Sequence, residues 1–157
     1  MPSETLLIIY YSLVFPYLNY YYMVWGNSAT SLVLHLVVLK KKCIRIICKS
    51  SYLAHSSPLF KQCNVLKFHD IYKLKLAIHV YRNRDFFETS YSRPNLHNTR
   101  FSSQLLPSFQ RLSSTQKSIH FQIPHLWNSI PDHIKNSSSA VNFKMKYKRY
   151  LTSSYDN

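Results

Sequence analysis

Apolar and polar positions fall into four stretches of different character. From Thr5 to Leu39 there is no Asp, Glu, Lys or Arg. Its first part, TLLIIYYSLVFPYLNYYYMVW (Thr5 to Trp25), matches the ~20 residues that cross a bilayer, and the lysines at 40–42 would satisfy a positive-inside rule. Against a span stand Pro16, Asn19 and the tyrosines Tyr10, Tyr11, Tyr17, Tyr20, Tyr21 and Tyr22 along its middle. From Ala29 to Lys49, Leu32, Leu36, Leu39, Cys43 and Ile46 or Ile47 recur at helical spacing and predict an amphipathic helix. Ser57-Pro58 opens a short helix. A third amphipathic helix is expected where Phe68, Ile71, Leu74, Ile78 and Tyr81 share a face, with Lys67, Lys75 and Arg82 elsewhere.

From Asn83 to Lys117 the periodicity fades into Ser, Asn, Gln, Pro and scattered Arg, a linker or strap. Beyond it, Pro124 and Pro131 bracket HLWNSI, one or two helical turns that offer Leu126, Trp127 and Ile130 to a core. Ser137 to Ser139 provide an N-cap for a final helix with Phe143, Tyr147 and Tyr150 or Leu151 as its apolar seam. Trp127, Phe143 and Tyr147 are the expected structural anchor. A tryptophan between two φ-restricted prolines loses little entropy on docking; the alternative is an exposed indole on which a base stacks.

Composition narrows the function. The apolar fraction of 46% supports a core and argues against wholesale disorder. A single glycine disfavours hairpin-rich β folds and Gly-rich phosphate loops. Twenty Lys and Arg against six Asp and Glu give a net charge of +14, which points to a polyanionic partner. The cations cluster. Lys41, Arg45 and Lys49 recur at i, i+4 and i+8 beside Lys40 and Lys42, and Lys144, Lys146, Lys148 and Arg149 surround the last seam. Exposed helix faces normally mix signs for i,i+4 pairing, so these nine residues are the candidate nucleic-acid contacts.

Other chemistry finds little support. Cys43, Cys48 and Cys63 form no CxxC pair and are expected to act as buried, reduced small hydrophobes. No metal site and no cofactor are expected, because His69 and His79 are too far apart for a helical metal pair. There is no GxSxG, no P-loop and no Cys–His nucleophile context.

Four segments in order resemble one family: YYMVWGNS (Tyr21 to Ser28), the run from Lys40 to Tyr81 beginning KKKCIRIICKSSYLAHSSPLF, HNTR (His97 to Arg100), and IPHLWNSIPDHIKNSSSAVNFKMKYKRYL (Ile123 to Leu151). Together they look like the region C-terminal to the polymerase palm in reverse transcriptases of non-LTR (LINE-type, Jockey/CR1-like) retrotransposons. Ile123 departs from the pattern, standing where a glycine is expected before the Pro-x-x-Trp-Asn turn. The family's nucleotidyl transfer rests on palm carboxylates that hold two Mg²⁺ ions. The six acids here, Glu4, Asp70, Asp85, Glu88, Asp132 and Asp156, include no adjacent Asp-Asp pair, so no catalytic residue carries over.

The resemblance implies a remnant of an RNA-directed DNA polymerase, its reading frame truncated upstream of Met1. The expected fold is mostly α. Thumb-like amphipathic helices occupy 1–83, a poorly ordered strap 84–117, and the tryptophan anchor with a short basic helix 118–157, folded back on the first segment. The expected capacity is binding without catalysis. RNA or DNA is contacted non-specifically, with the missing polymerase domain of the parent element as a second partner and an intracellular setting in cytoplasm or nucleus. The competing reading is a small membrane protein spanning the bilayer through Thr5 to Trp25.

Overall fold

The computed structural model describes residues 1–20, 30–87, 104–107 and 109–156. Among them the regular structure is helical, with no β-strand, as the periodicity predicts. Tyr21 to Trp25 of the candidate span, and Glu88 to Ser103 and Ser108 of the expected strap, lie outside the described residues. The chain divides into two units, Met1–Tyr72 with Lys148–Asn157, and Lys73–Tyr147. These divisions fall inside the helices Phe68–Arg82 and Ala140–Ser153.

The first unit opens with α1 (Ser3–Ile9), a π-helical turn (Tyr10–Val14) and α2 (Phe15–Asn19). Pro16 explains the widened turn. Its missing N–H leaves the Ser12 carbonyl without an i+4 donor, and the Phe15 N–H reaches the Tyr10 carbonyl, five residues back, as π-bulges do. Tyr20 then turns extended, with ψ 128°, and ends α2. No helix among the described residues is long and apolar enough to cross a membrane.

In α3 (Thr30–Ile47) the buried side chains are Val33, Lys40, Ile44 and Ile47, with Val37 half-buried. Of the expected seam Ile47 is buried, Leu36 and Cys43 are half-buried, and Leu39, 55% exposed, and Ile46 face solvent, so the buried face is rotated by about one position; the Leu32 side chain lies outside the described residues. The first turns of α3 are apolar nearly all round, so more than one face qualifies on pattern, and tertiary packing chooses. The helix stops before Lys49. That residue takes φ 52°, while the Ser50 N–H bonds to the Arg45 carbonyl and the Lys49 N–H to the Ile46 carbonyl, a Schellman cap. After α4 (Ser56–Gln62) the same cap is built on Asn64, φ 51°, with Val65 N–H to the Phe60 carbonyl and Asn64 N–H to the Lys61 carbonyl. Lys49 and Asn64 thus occupy the left-handed positions usually given to glycine.

Ile44, Ile47, Phe60 and Val65 form a core with Tyr10 and Tyr155. The three cysteines are half-buried, not buried as expected. They pack against this core, with Cys48 Sγ and Cys63 Sγ 2.9 Å apart. Burial, then the Cys63 hydrogen bond, pushes the Cys48 thiol up to about 12. Tyr155, from the terminal 3₁₀ turn (Ser154–Asp156), accepts the Lys67 N–H at 2.9 Å and donates to Asp70 Oδ2 at 2.6 Å in the first turn of α5 (Phe68–Arg82). The chain's C-terminal turn is thereby fastened to its N-terminal helices.

The expected one-sided amphipathicity of α5 gives way to burial on most sides. Phe68, Ile71 and Leu74 are buried as predicted and Ile78 and Tyr81 are half-buried, but Tyr72, Leu76, Ala77 and Val80 are buried too, which leaves His69, Lys73, His79 and Arg82 as the exposed side chains of the helix. The second unit holds the rest of α5, α6 (Ser113–Gln116), α7 (Ile119–Ser129), α8 (Asp132–Lys135) and most of α9 (Ala140–Ser153).

The two prolines do not delimit α7. The helix begins at the Ser118 cap, whose hydroxyl accepts the Phe121 N–H, and runs through Pro124. An interior proline costs ~3 kcal/mol; burial of Ile123, Pro124 and Trp127 on one side of α7 offsets it. Within the expected strap, Leu105 is buried, and the Asn128 side chain binds both its N–H and its carbonyl, at 3.0 and 2.9 Å. Ser139 caps α9, accepting the Asn142 N–H at 3.2 Å.

Candidate nucleic-acid interface

On α3 the expected cations separate into three environments. Lys41, Lys42 and Lys49 are exposed. Lys49 sits beyond the helix end, so the helical register of the stripe stops at Arg45. Arg45 is half-buried, and its Nε donates to the Ala54 carbonyl at 2.9 Å, tying down the loop that leads to α4. Lys40 departs from the expected surface role. It is 2% exposed, its Nζ has no hydrogen-bond partner, and burial pulls its ammonium down to about 7 against the opposing pull of Asp70 and Cys43. A hydrophobic pattern rejects lysine at a seam position, so the sequence alone points Lys40 to the surface.

Along α9, Lys144, Lys146 and Arg149 are exposed and Lys148 is half-buried. Neither α3 nor α9 contains an acidic residue. Two further cations enter the second unit's positive field. Burial lowers the Lys75 ammonium from its ordinary value, and the charges of Lys144 and Arg82 lower it further. Lys75 and Arg82 lie on α5 and Lys144 on α9, a proximity invisible to a reading that treats one helix at a time.

Trp127 is 7% exposed, which contradicts the reading of it as a free stacking platform. Its ring lies 5.9 Å from Phe143, and Phe143 stacks on Tyr81 at 4.6 Å and on Tyr147 at 5.8 Å. The Arg84 guanidinium caps this cluster, 4.3 Å from the Tyr81 ring and 5.1 Å from Trp127, while also donating to the Lys135 carbonyl. Rings open to solvent lie elsewhere, among them Phe86 and Phe109, each 84% exposed, and Tyr17, Tyr20 and Tyr52. Phe143 and Tyr147 are buried along the α9 seam, and Leu151, not Tyr150, continues it.

Among the described residues no three His, Cys, Asp or Glu side chains converge as metal ligands. No family model, curated protein or solved structure matches the chain.

Proposed function

We propose that this chain binds RNA or DNA through the phosphate backbone, without sequence preference and without nucleotidyl-transfer chemistry, as a segment of the kind that follows the palm in non-LTR retrotransposon reverse transcriptases. The observation that supports this reading is the pair of acid-free helices whose cations are mostly solvent-facing: Lys41 and Lys42 on α3, with Lys49 just past its end, and Lys144, Lys146 and Arg149 on α9. A solvated structural face would neutralise such charges with acids three or four positions away; here there are none. The Lys75 ammonium is lowered mainly by burial and further by the charges of Lys144 and Arg82, and that second, repulsive contribution is one a phosphate would relieve.

Contacts of this class carry no base information. Labelled single strands of unrelated sequence are therefore expected to bind within a few-fold of one another, and log K to fall linearly with log salt by ~0.7 per contacted phosphate. A strong preference for one sequence, or an affinity indifferent to salt, would contradict the reading.

A further inference from the structure

Lys40 breaks the rule that a helix seam is apolar, and such local violations tend to mark sites. Its ammonium carries three donors and no acceptor, and burying it unpaired is costly. It lines a cavity of ≈ 350 Å³ within the first unit, whose wall also carries Lys41 and Lys67. Ser56 and Ser57 add hydroxyls, and the first turn of α5 contributes at Phe68 and His69, bringing the positive end of a fifteen-residue helix to the same wall. No acidic side chain lines the cavity. The nearby Asp70 carboxylate accepts the Tyr155 hydroxyl, and its pull on Lys40 is outweighed by burial.

We propose that this cavity is a binding site for a phosphate monoester, with the phosphate on Lys40 and flanked by Lys41 and Lys67. The dianion suits three lysines better than a singly charged diester does. The volume exceeds what a bare phosphate fills, and the rings of Phe60 and Phe68 on the wall offer an apolar surface to the esterified group. Binding sets a counter-charge against the unpaired ammonium, so affinity and stability are linked. The site shares Lys41 with the exposed stripe but is distinguishable from it, because it selects a terminal phosphate through Lys40 where the stripe takes the continuous backbone. The same chemistry has two sources, a free small molecule or the phosphorylated end of a strand.

The test is thermal unfolding of the full chain with inorganic phosphate and a nucleoside 5′-monophosphate, against the nucleoside and chloride at matched ionic strength. Saturating monoester is expected to raise the midpoint by about 4 °C or more, and the nucleoside to leave it in place. Lys40→Met separates binding from folding, since it removes a buried charge: its ligand-free midpoint should rise while the monoester shift disappears. Arg111→Met, which removes a cation that does not line the cavity, should retain the full shift. Tighter binding of a 5′-phosphorylated than a 5′-hydroxyl strand by about 10-fold, lost in Lys40→Met, identifies the strand end as the source; equal binding of the two strands with a saturable monophosphate shift identifies a free small molecule. A monoester shift no larger than that of chloride, or one of equal size in Lys40→Met, overturns the proposal.

Discussion

The helices α3 and α9 share a design, an apolar seam beside a basic surface, yet they relate differently to their sequences. On α9 Phe143, Tyr147 and Leu151 are buried where spacing puts them, and the apolar residues off that seam, Val141, Met145 and Tyr150, are exposed. In α3 the apolar residues outnumber the positions one face can bury. The structure selects Val33, Ile44 and Ile47, sets Lys40 among them, and leaves Leu39 and Ile46 to solvent. Periodicity specifies a face only when the alternatives are polar; otherwise the partner surface decides.

The largest effect should come from the unambiguous seam. Phe143 touches three other aromatic rings, so Phe143→Ala is expected to cost ~3–5 kcal/mol, read as a drop in the denaturation midpoint. A loss under ~1 kcal/mol would mean the aromatic cluster carries little stability. Ile44→Ala probes the rotated seam of α3 and should cost ~2–4 kcal/mol; a smaller loss than Leu39→Ala would show that the buried face is misassigned.

Lys40→Met tests the exception within that seam and should stabilise the protein, by ~1–3 kcal/mol near pH 6. The sign follows from linkage. The folded-state ammonium lies near 7 against an ordinary value of 10.5, so the burial penalty is fully present below about pH 7 and fades as pH rises toward 10.5, where the unfolded chain holds the extra proton. Asp70, Cys43, Lys41, Lys67, His55 and His69 surround this part of the fold and are common to both proteins, so the difference between wild type and variant isolates Lys40. Its advantage should shrink between pH 7 and 9.5; an advantage constant with pH would place the ammonium in water. The smallest effect is expected from Leu39→Ala and Ile46→Ala, each within ~0.5 kcal/mol by the same midpoint measurement.

What was legible in the residues follows the same division. The helical class, the Ser139 cap, the α9 seam and the burial of Trp127 could be read because each rests on local chemistry or on one clear face. The course of α7 through Pro124 could not, since burial of Ile123 and Trp127 outweighs a local rule. Neither could the Tyr155–Asp70 contact, which joins residues 85 positions apart, nor the cluster of Lys75, Arg82 and Lys144 assembled from two helices. The stripe on α3 was half legible: Lys41 and Lys42 are exposed as spacing predicts, but the turn at Lys49 and the burial of Lys40 depend on where the helix meets its core.

The central claim is that the exposed cations, and not Lys40, contact the nucleic-acid backbone. It is tested most directly by the salt dependence of binding to a 5′-hydroxyl single strand, compared among wild type, the Lys41→Gln, Lys42→Gln, Lys49→Gln triple variant, and Lys40→Gln. The triple variant should flatten the slope of log K against log salt by about 2, three contacts at ~0.7 each, while Lys40→Gln leaves the slope unchanged. A triple variant with the wild-type slope would contradict the account.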